Sequence, residues 1–326
     1  MWMPAQEITL KEIVGIHHVT AIASDPQRNL DFYTGVLGLR LVKMTVNYDD
    51  PGAYHFYYGD ESGHPGTLLT FFTWPGAPQG RRGTQQVTVT SFSVPEQSLG
   101  YWIRRLRDHD VTFRESVPRS DERSIVLFDP DGLQLELVAH PGAEAIDPWQ
   151  DGPVPGEYAV RGFYGVTLSE ASAERTAALL GETLGFRRID ETDDRLHYQA
   201  AGNVGAHVGV LRLPHERPGR VSVGSVHHVA WRAQDDQQQL AWRNDLVRLG
   251  FNVTPVVDRR YFHSIYFREP GGVLFEIATD PPGFSVDEPV AQLGTGLMLP
   301  PWLEPMRAEI ERSLPEVHLL QVRQPA

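Results

Sequence analysis

One unit, a strand and helix followed by three more strands, can be read four times along these 326 residues, which limits the fold more than any other feature. In the first unit Ile16 to Ala23 alternates as a strand, and Asp25 caps a helix with Pro26 at its first position. Leu30, Tyr33, Val36 and Leu37 give that helix its apolar face, Gly38 stops it, and strand candidates follow at 41–46, 54–58 and 67–73. The second unit starts at Val87-Thr88-Val89, has a helix with Leu99, Trp102, Ile103 and Leu106, and ends in strands 124–128 and 133–138 around Asp129-Pro130-Asp131-Gly132. The third opens at Gly162-Phe163-Tyr164-Gly165-Val166-Thr167 and places Leu179, Leu180 and Leu184 on its helix. The fourth starts at His227, is capped at Asp235, and carries Leu240, Trp242, Leu246 and Val247 on its helix before strands 265–267 and 273–278. Helices one, three and four end alike, in Leu37-Gly38-Leu39, Leu184-Gly185-Phe186 and Leu249-Gly250-Phe251. Three such endings at corresponding places argue for duplication.

The Pro/Gly/acid-rich stretch 141–157 reads as a linker. It separates a first half, 12–140, from a second, 158–280, each with two units, and a tail at 281–326 holds one amphipathic helix at 302–313. The balance of 41% hydrophobic and 22% charged residues is that of a globular chain with a real core. A net charge of −13 without a basic cluster speaks against nucleic acid as a partner. No apolar run reaches membrane-spanning length and Met1-Trp2-Met3-Pro4 does not begin a signal peptide, so the expected location is cytoplasmic, with no membrane partner. Cysteine is absent, which excludes disulfides, thiolate nucleophiles and thiolate metal sites. Any metal must be held by His and Asp or Glu.

Two His-His pairs occupy matching frames, Gly15-Ile16-His17-His18-Val19-Thr20 and Ser225-Val226-His227-His228-Val229-Ala230, each with an Asp seven residues after the second His. Glu276 lies in the apolar run Val273-Leu274-Phe275-Glu276-Ile277, where an unpaired anion would be costly to bury. Two imidazoles and a carboxylate from equivalent places in repeated units suit an octahedral metal with open positions, as in non-haem Fe(II) oxygenases. A His in a strand is more often a packed core residue than a ligand. The shared repeat frame and the carboxylate in register favour the metal. His17 points away from His18 if its strand is regular. The remaining histidines, His55 among them, show no pattern that lifts them above structural roles. No nucleotide-binding glycine loop and no Gly-x-Ser-x-Gly turn occurs.

With a ligand His on the first strand of a βαβββ unit and a ligand Glu on the last, the chain resembles the vicinal oxygen chelate superfamily of glyoxalases, extradiol dioxygenases and bleomycin-resistance proteins. Within it, the chain looks most like hydroquinone-type ring-cleaving dioxygenases, through Gly80-Arg81-Arg82-Gly83 and Gln85-Gln86-Val87, the stretch from Arg259 to Glu276, and Phe284-Ser285-Val286-Asp287-Glu288. The resemblance implies an α+β fold, four βαβββ modules paired into two cupped mixed-sheet domains. It implies His18, His228 and Glu276 as metal ligands, and places His17, Thr20, Arg259 and Tyr266 among the residues that support those ligands or touch substrate. Arg260 stands where the family often has a smaller residue.

In such folds two modules make one cup, and first and last strands of a module lie side by side. Unit one has His18 but no carboxylate on its last strand; unit two has Glu136 but no His; unit three has Gly165 in the His frame; unit four has both His228 and Glu276. Pairing unit one with unit four gives a complete 2-His-1-Glu face, whereas unit one with unit two gives only His18 and Glu136. Glu136 reads as a relic or a surface-facing residue. The expected ion is Fe(II), with Mn(II) as substitute, and the expected partners are a small aromatic substrate and O₂, with a homo-oligomer allowed. Tyr266 and His17 would hydrogen-bond and shuttle protons, Arg259 would hold developing negative charge, and Thr20 would bind substrate. Tyr54, Phe56, Phe71, Phe72, Trp74, Tyr261 and Phe262 are the aromatic residues expected near the cup. A glyoxalase-type isomerase or lyase would want a fourth protein ligand, and a metal-free small-molecule-binding resistance protein would lack the triad.

Overall fold

The computed structural model describes residues 12–116 and 122–319, and the Met1-Trp2-Met3-Pro4 start lies outside them. The first module contributes β1 (Ile16–Ala23), α1 (Pro26–Leu30), β2 (Arg40–Asn47), β3 (Asp50–Gly59) and β4 (Leu68–Thr73). The second contributes β5 (Gln86–Val94), α2 (Leu99–Asp108), β6 (Phe113–Glu115), β7 (Arg123–Phe128) and β8 (Gln134–Ala139). The third contributes β9 (Phe163–Glu170), α3 (Glu174–Ala178), β10 (Arg187–Glu191), β11 (Arg195–Gln199) and β12 (His207–Arg212). The fourth contributes β13 (Ser225–Ala233), α4 (Asp236–Arg248), β14 (Val257–Asp258), β15 (Phe262–Arg268) and β16 (Leu274–Pro282), and α5 (Arg307–Ser313) lies in the tail.

The strands form two curved mixed sheets, ordered β14-β15-β16-β13-β1-β4-β3-β2 and β10-β11-β12-β9-β5-β8-β7-β6. Each sheet therefore joins one module from 12–140 to one from 158–280: module one to module four through antiparallel β1 and β13, and module two to module three through β5 and β9. Within a module the first and last strands run parallel, as β1 with β4 and β13 with β16. This is the α+β, four-module, two-cup architecture that the family resemblance implies.

Helix starts follow the local chemistry. Asp25 accepts from the Arg28 amide at 2.8 Å ahead of Pro26, and Asp235 accepts from the Gln238 amide at 2.8 Å. In modules one and three the helix widens into a π turn, Asp31–Val36 and Leu179–Thr183, before the glycine stop. The outer helix of module four departs from the expected face. Trp242 and Leu246 are buried, but Leu240 and Val247 are each 47% exposed and the polar Gln239 is fully buried instead. Its amide donates to the carbonyls of His263 and Ile277 at 2.7 and 2.8 Å, tying helix to sheet where an apolar side chain could not.

Two connectors hold the sheets together. The segment at 79–84 runs beside 217–223, with Gly80 N donating to Val223 O at 2.8 Å and Thr84 N to Arg217 O at 3.0 Å. A Cβ at Gly83 would lie 2.3 Å from the Arg217 carbonyl, so close approach explains that glycine of the Gly80-Arg81-Arg82-Gly83 run. The two junctions between neighbouring modules solve one problem with carboxylates from opposite sides. Between modules one and two, Asp131 accepts from Ser24 N, Ser24 Oγ and Arg28 Nη2 at 2.6–2.7 Å. Between modules three and four, Glu170 fills that room, and a Cβ on Gly271 would lie 2.3 Å from its Cδ. Glu170 is fully buried with neither oxygen hydrogen-bonded among the described residues. Burial, and then the neighbouring Glu269, push its pKa up to about 8. No helix among the described residues is long and apolar enough to cross a membrane.

Candidate metal centre

The first sheet places three donors at one point of its concave face. His18 Nε2 lies 3.2 Å from His228 Nε2, and Glu276 Oε2 lies 3.4 Å from the first and 3.0 Å from the second. All three residues are buried. The register explains the convergence: on β13 and β16, Ala230 faces Glu276, while across the β1–β13 pair His18 faces Ala230 and Thr20 faces His228.

The His-His pairs owe their geometry to bulges. Between Ile16 and His18 the pairing gains one residue on β1, and between Thr20 and Ala21 it gains one on β13, so His17 and His227 are the inserted residues. Each then turns to the back of its neighbour. His17 Nδ1 lies 2.9 Å from His18 Nδ1, and His227 Nδ1 lies 2.8 Å from His228 Nδ1. With Nε2 aimed at the shared point, His18 and His228 can each carry the proton on Nδ1 and donate it to the preceding His, the arrangement that fixes tautomer and ring plane in metal sites. His17 and His227 suit that acceptor role. Burial, then the neighbouring His18 and His228 respectively, hold His17 well below the usual histidine range and His227 down to about 3, so both stay neutral. The sequence reading of His17 on the opposite strand face assumed a regular strand; the bulge removes that assumption. His17 is 1% exposed, packs on Phe262 at 5.0 Å, and meets His18 through Nδ1.

Glu276 is held by Ser264, whose hydroxyl donates to Oε1. Burial alone would raise its pKa, but His18 and His228 outweigh that and hold it well below the carboxylate range. Its Oε2 is buried and accepts no aligned hydrogen bond among the described residues, although two imidazole nitrogens stand within 3.4 Å. Donors about 2.1 Å from a shared ion sit about 3.0 Å apart at an octahedral right angle and about 3.4 Å at a tetrahedral one. The observed separations span that interval, so donor chemistry, the unpartnered oxygen and spacing all fit a divalent first-row metal.

The other expected residues are distributed around this point. Tyr266 and Arg259 stand on the module-four side, with Arg259 Nε donating to Tyr266 Oη at 3.1 Å and its Nη1 to Asp49 at 3.0 Å. Burial, then the nearby Glu276, raise the Tyr266 phenol above its usual range; burial opposes the Arg259 charge, but Tyr266 and Asp49 outweigh it. Thr20 is fully buried with its hydroxyl 2.8 Å from that of Thr70. Arg260 adopts a left-handed φ of 71°, which a smaller residue would take up more easily. Of the aromatic set, Tyr54, Phe56 and Phe71 belong to the core under the helices, because the pleat turns them away from the cup. Their alternates His55 and Tyr57 face it. His55 Nε2 lies 2.9 Å from Thr70 Oγ1 and its Nδ1 3.0 Å from Tyr57 Oη, and its ring packs on Phe72 at 4.4 Å. Sequence reasoning missed His55: in Tyr54-His55-Phe56-Tyr57-Tyr58 both strand faces are aromatic, so alternation marks neither.

The second sheet repeats the frame without the histidines. Thr88 and Tyr164 are the inserted residues there, so Val89 and Gly165 take the places of His18 and His228. A Cβ at Gly165 would lie 2.1 Å from the His207 carbonyl, so that strand pair leaves no room for any side chain. Glu136 matches Glu276 in register and is held by Ser124, twelve residues before it, as Glu276 is by Ser264. Its second oxygen, however, accepts from Ser91 at 2.7 Å. It is buried and satisfied, not surface-facing.

Comparison with known proteins matches this architecture. The model of the Glyoxalase/Bleomycin resistance protein/Dioxygenase superfamily fits residues 15–137 and 166–277. The chain belongs to that superfamily. It is 48% identical over 304 residues to the "Putative ring-cleaving dioxygenase MhqO" of Bacillus subtilis, covering 93% of this chain and 96% of that one. It is 34% identical over 314 residues to the "Chlorohydroquinone/hydroquinone 1,2-dioxygenase" of Sphingobium indicum, covering 93% and 97%. The crystal structure of a "putative dioxygenase" from Bacillus subtilis superposes with a TM-score of 0.92 at 46% identity, over 95% of this chain and 99% of that one. Maize glyoxalase I, at 14% identity and a TM-score of 0.60 over 82% and 92%, shares the fold alone. The superfamily's relatives of this chain are thus named ring-cleaving dioxygenases, and this member carries a His-His-Glu set that could hold a metal.

Proposed function

We propose that the protein is an Fe(II)-dependent dioxygenase that opens the ring of a hydroquinone or related phenol, with Mn(II) able to replace iron. The observation that carries this reading is the donor count. Three protein donors meet at the centre, and the register place of a fourth, on β4, holds Thr70. The relatives named for ring cleavage and for hydroquinone point the same way. A glyoxalase-type isomerase would want a carboxylate at that fourth place, and a metal-free binding protein would not need the triad.

His18, His228 and Glu276 would hold the ion, which supplies a path for electrons from an electron-rich ring to O₂. The chain's own residues do the rest. Phe72 and His227, with ring centroids 5.7 Å apart and near-perpendicular, offer walls for a flat ring. Arg259 stays charged and steadies negative charge on a ring oxygen, while Tyr266 keeps its proton and donates a hydrogen bond. His17 and His227 keep the ligand rings in one tautomer. The test is oxygen uptake with hydroquinone after anaerobic loading with Fe(II). Uptake should stop, and iron retention be lost, in His228→Ala. Full iron and full rate in that variant would overturn the assignment, and turnover of a glutathione adduct without O₂ uptake would favour the isomerase.

A further inference from the structure

We propose that Thr70, oriented by His55, forms a hydrogen-bonding subsite for the phenolic oxygen of the substrate at the place where a fourth protein ligand would stand. This rests on the phenol-cleaving reading above.

Four places in the two sheets are equivalent by register. Tyr266 faces Glu276 and Val126 faces Glu136, and in the same way Tyr57 faces Thr70 and His197 faces Gly209. Thr70 therefore stands to His18 as Glu276 stands to His228. The residue supporting each place is equivalent too. Ser264 supports Glu276, Ser124 supports Glu136, and His55 supports Thr70. A serine suffices behind a carboxylate, which needs only a donor. Behind a threonine stands an imidazole, part of a hydrogen-bonded row running Thr20, Thr70, His55, Tyr57 with spacings of 2.8, 2.9 and 3.0 Å.

That row has one sensible polarity. Burial first, then nearby Tyr48, raise the Tyr57 phenol far above its usual range, so it keeps its proton and donates to His55 Nδ1. His55 is then the Nε2–H tautomer and donates to Thr70 Oγ1. With one lone pair engaged by the imidazole, the fully buried Thr70 has a single O–H, which lies toward Thr20 Oγ1 at 2.8 Å and turns from it to the substrate oxygen when one binds. His55 is partly exposed beside Phe72, on the side where the substrate ring is placed above. The register place of a carboxylate thus holds a hydroxyl oriented by an imidazole, which suits an anionic oxygen brought by the substrate.

The test measures binding, not turnover. Wild type, Thr70→Val, His55→Leu and His55→Gln are loaded with Co(II) and titrated anaerobically with hydroquinone, following the visible bands of the metal. All four should hold one equivalent of Co(II). The dissociation constant for hydroquinone should rise about tenfold or more in Thr70→Val and His55→Leu, the usual cost of losing a hydrogen bond to a charged group. It should return to within about threefold of wild type in His55→Gln, whose amide can still donate to Thr70. Unchanged affinity in Thr70→Val, or His55→Gln as weak as His55→Leu, overturns the proposal. So does loss of Co(II) from Thr70→Val, which would make Thr70 part of the metal's own support. If His55→Leu does not fold, the near-isosteric Thr70→Val still decides. Wild type that binds hydroquinone yet consumes no O₂ with iron overturns the dioxygenase reading alone; wild type that holds Co(II) and binds no hydroquinone overturns both.

Discussion

Glu276 and Glu136 form an experiment already built into the chain. They share register, supporting serine and burial, and differ in what faces the second oxygen: two imidazoles at 3.0 and 3.4 Å for Glu276, one serine hydroxyl at 2.7 Å for Glu136. Replacing each by Gln keeps the shape and removes the charge. In the first cup the lost carboxylate would face a divalent ion in a site with no solvent to screen it. Even at an effective dielectric of 20, a unit charge pair about 4 Å apart is worth about 4 kcal/mol, close to a thousandfold in affinity. Glu276→Gln should therefore weaken metal binding by at least about 100-fold. Glu136→Gln should leave it unchanged, since the places of His18 and His228 hold Val89 and Gly165 there. Competition against a chelator of known affinity, with metal analysis of the dialysed protein, reads both variants. Equal metal affinity in Glu276→Gln and wild type would refute the triad; loss of metal in Glu136→Gln would show that the second cup binds it.

Three further outcomes follow from the same contacts. Glu170 has a folded pKa raised to about 8 against a usual 4.5, so its contribution to stability is present below pH 4.5 and lost as pH rises toward 8. Glu170→Gln should then be more stable than wild type by on the order of 4 kcal/mol at pH 7.5, with most of the gain gone at pH 5; a difference that urea melts show to be independent of pH would refute this. Adding metal at about a hundred times its Kd should stabilise the protein by about 2.7 kcal/mol, and chelation should lower Tm by several degrees in wild type and Glu136→Gln but not in Glu276→Gln. Gly165→Ala should cost more than about 2 kcal/mol in denaturant melts, because the new methyl would strike the His207 carbonyl; wild-type stability would show that β9 and β12 can part there.

The sequence alone determined the module and the three side chains that the first sheet brings together. His18 and His228 were legible because they occur in one repeat frame, and Glu276 because an anion inside Val273-Leu274-Phe275 and Ile277 demands compensation. Even the pairing of module one with module four could be read, from which units lacked a His or a carboxylate. What it could not contain was anything decided by a one-residue slip or by a partner distant in the chain. The bulges that turn His17 and His227 onto their neighbours arise from the pairing of β1 with β13, more than 200 positions apart, and a regular strand would have sent His17 the other way. Gln239 took a place expected of Leu240 because two strand carbonyls waited beneath it. His55 stayed hidden among aromatic neighbours until the curvature of the sheet showed which face of β3 looks into the cup. Local pattern selects strand and helix through propensity and period. Only the packed sheet selects the direction in which a particular side chain points, because that depends on register with strands from elsewhere in the chain.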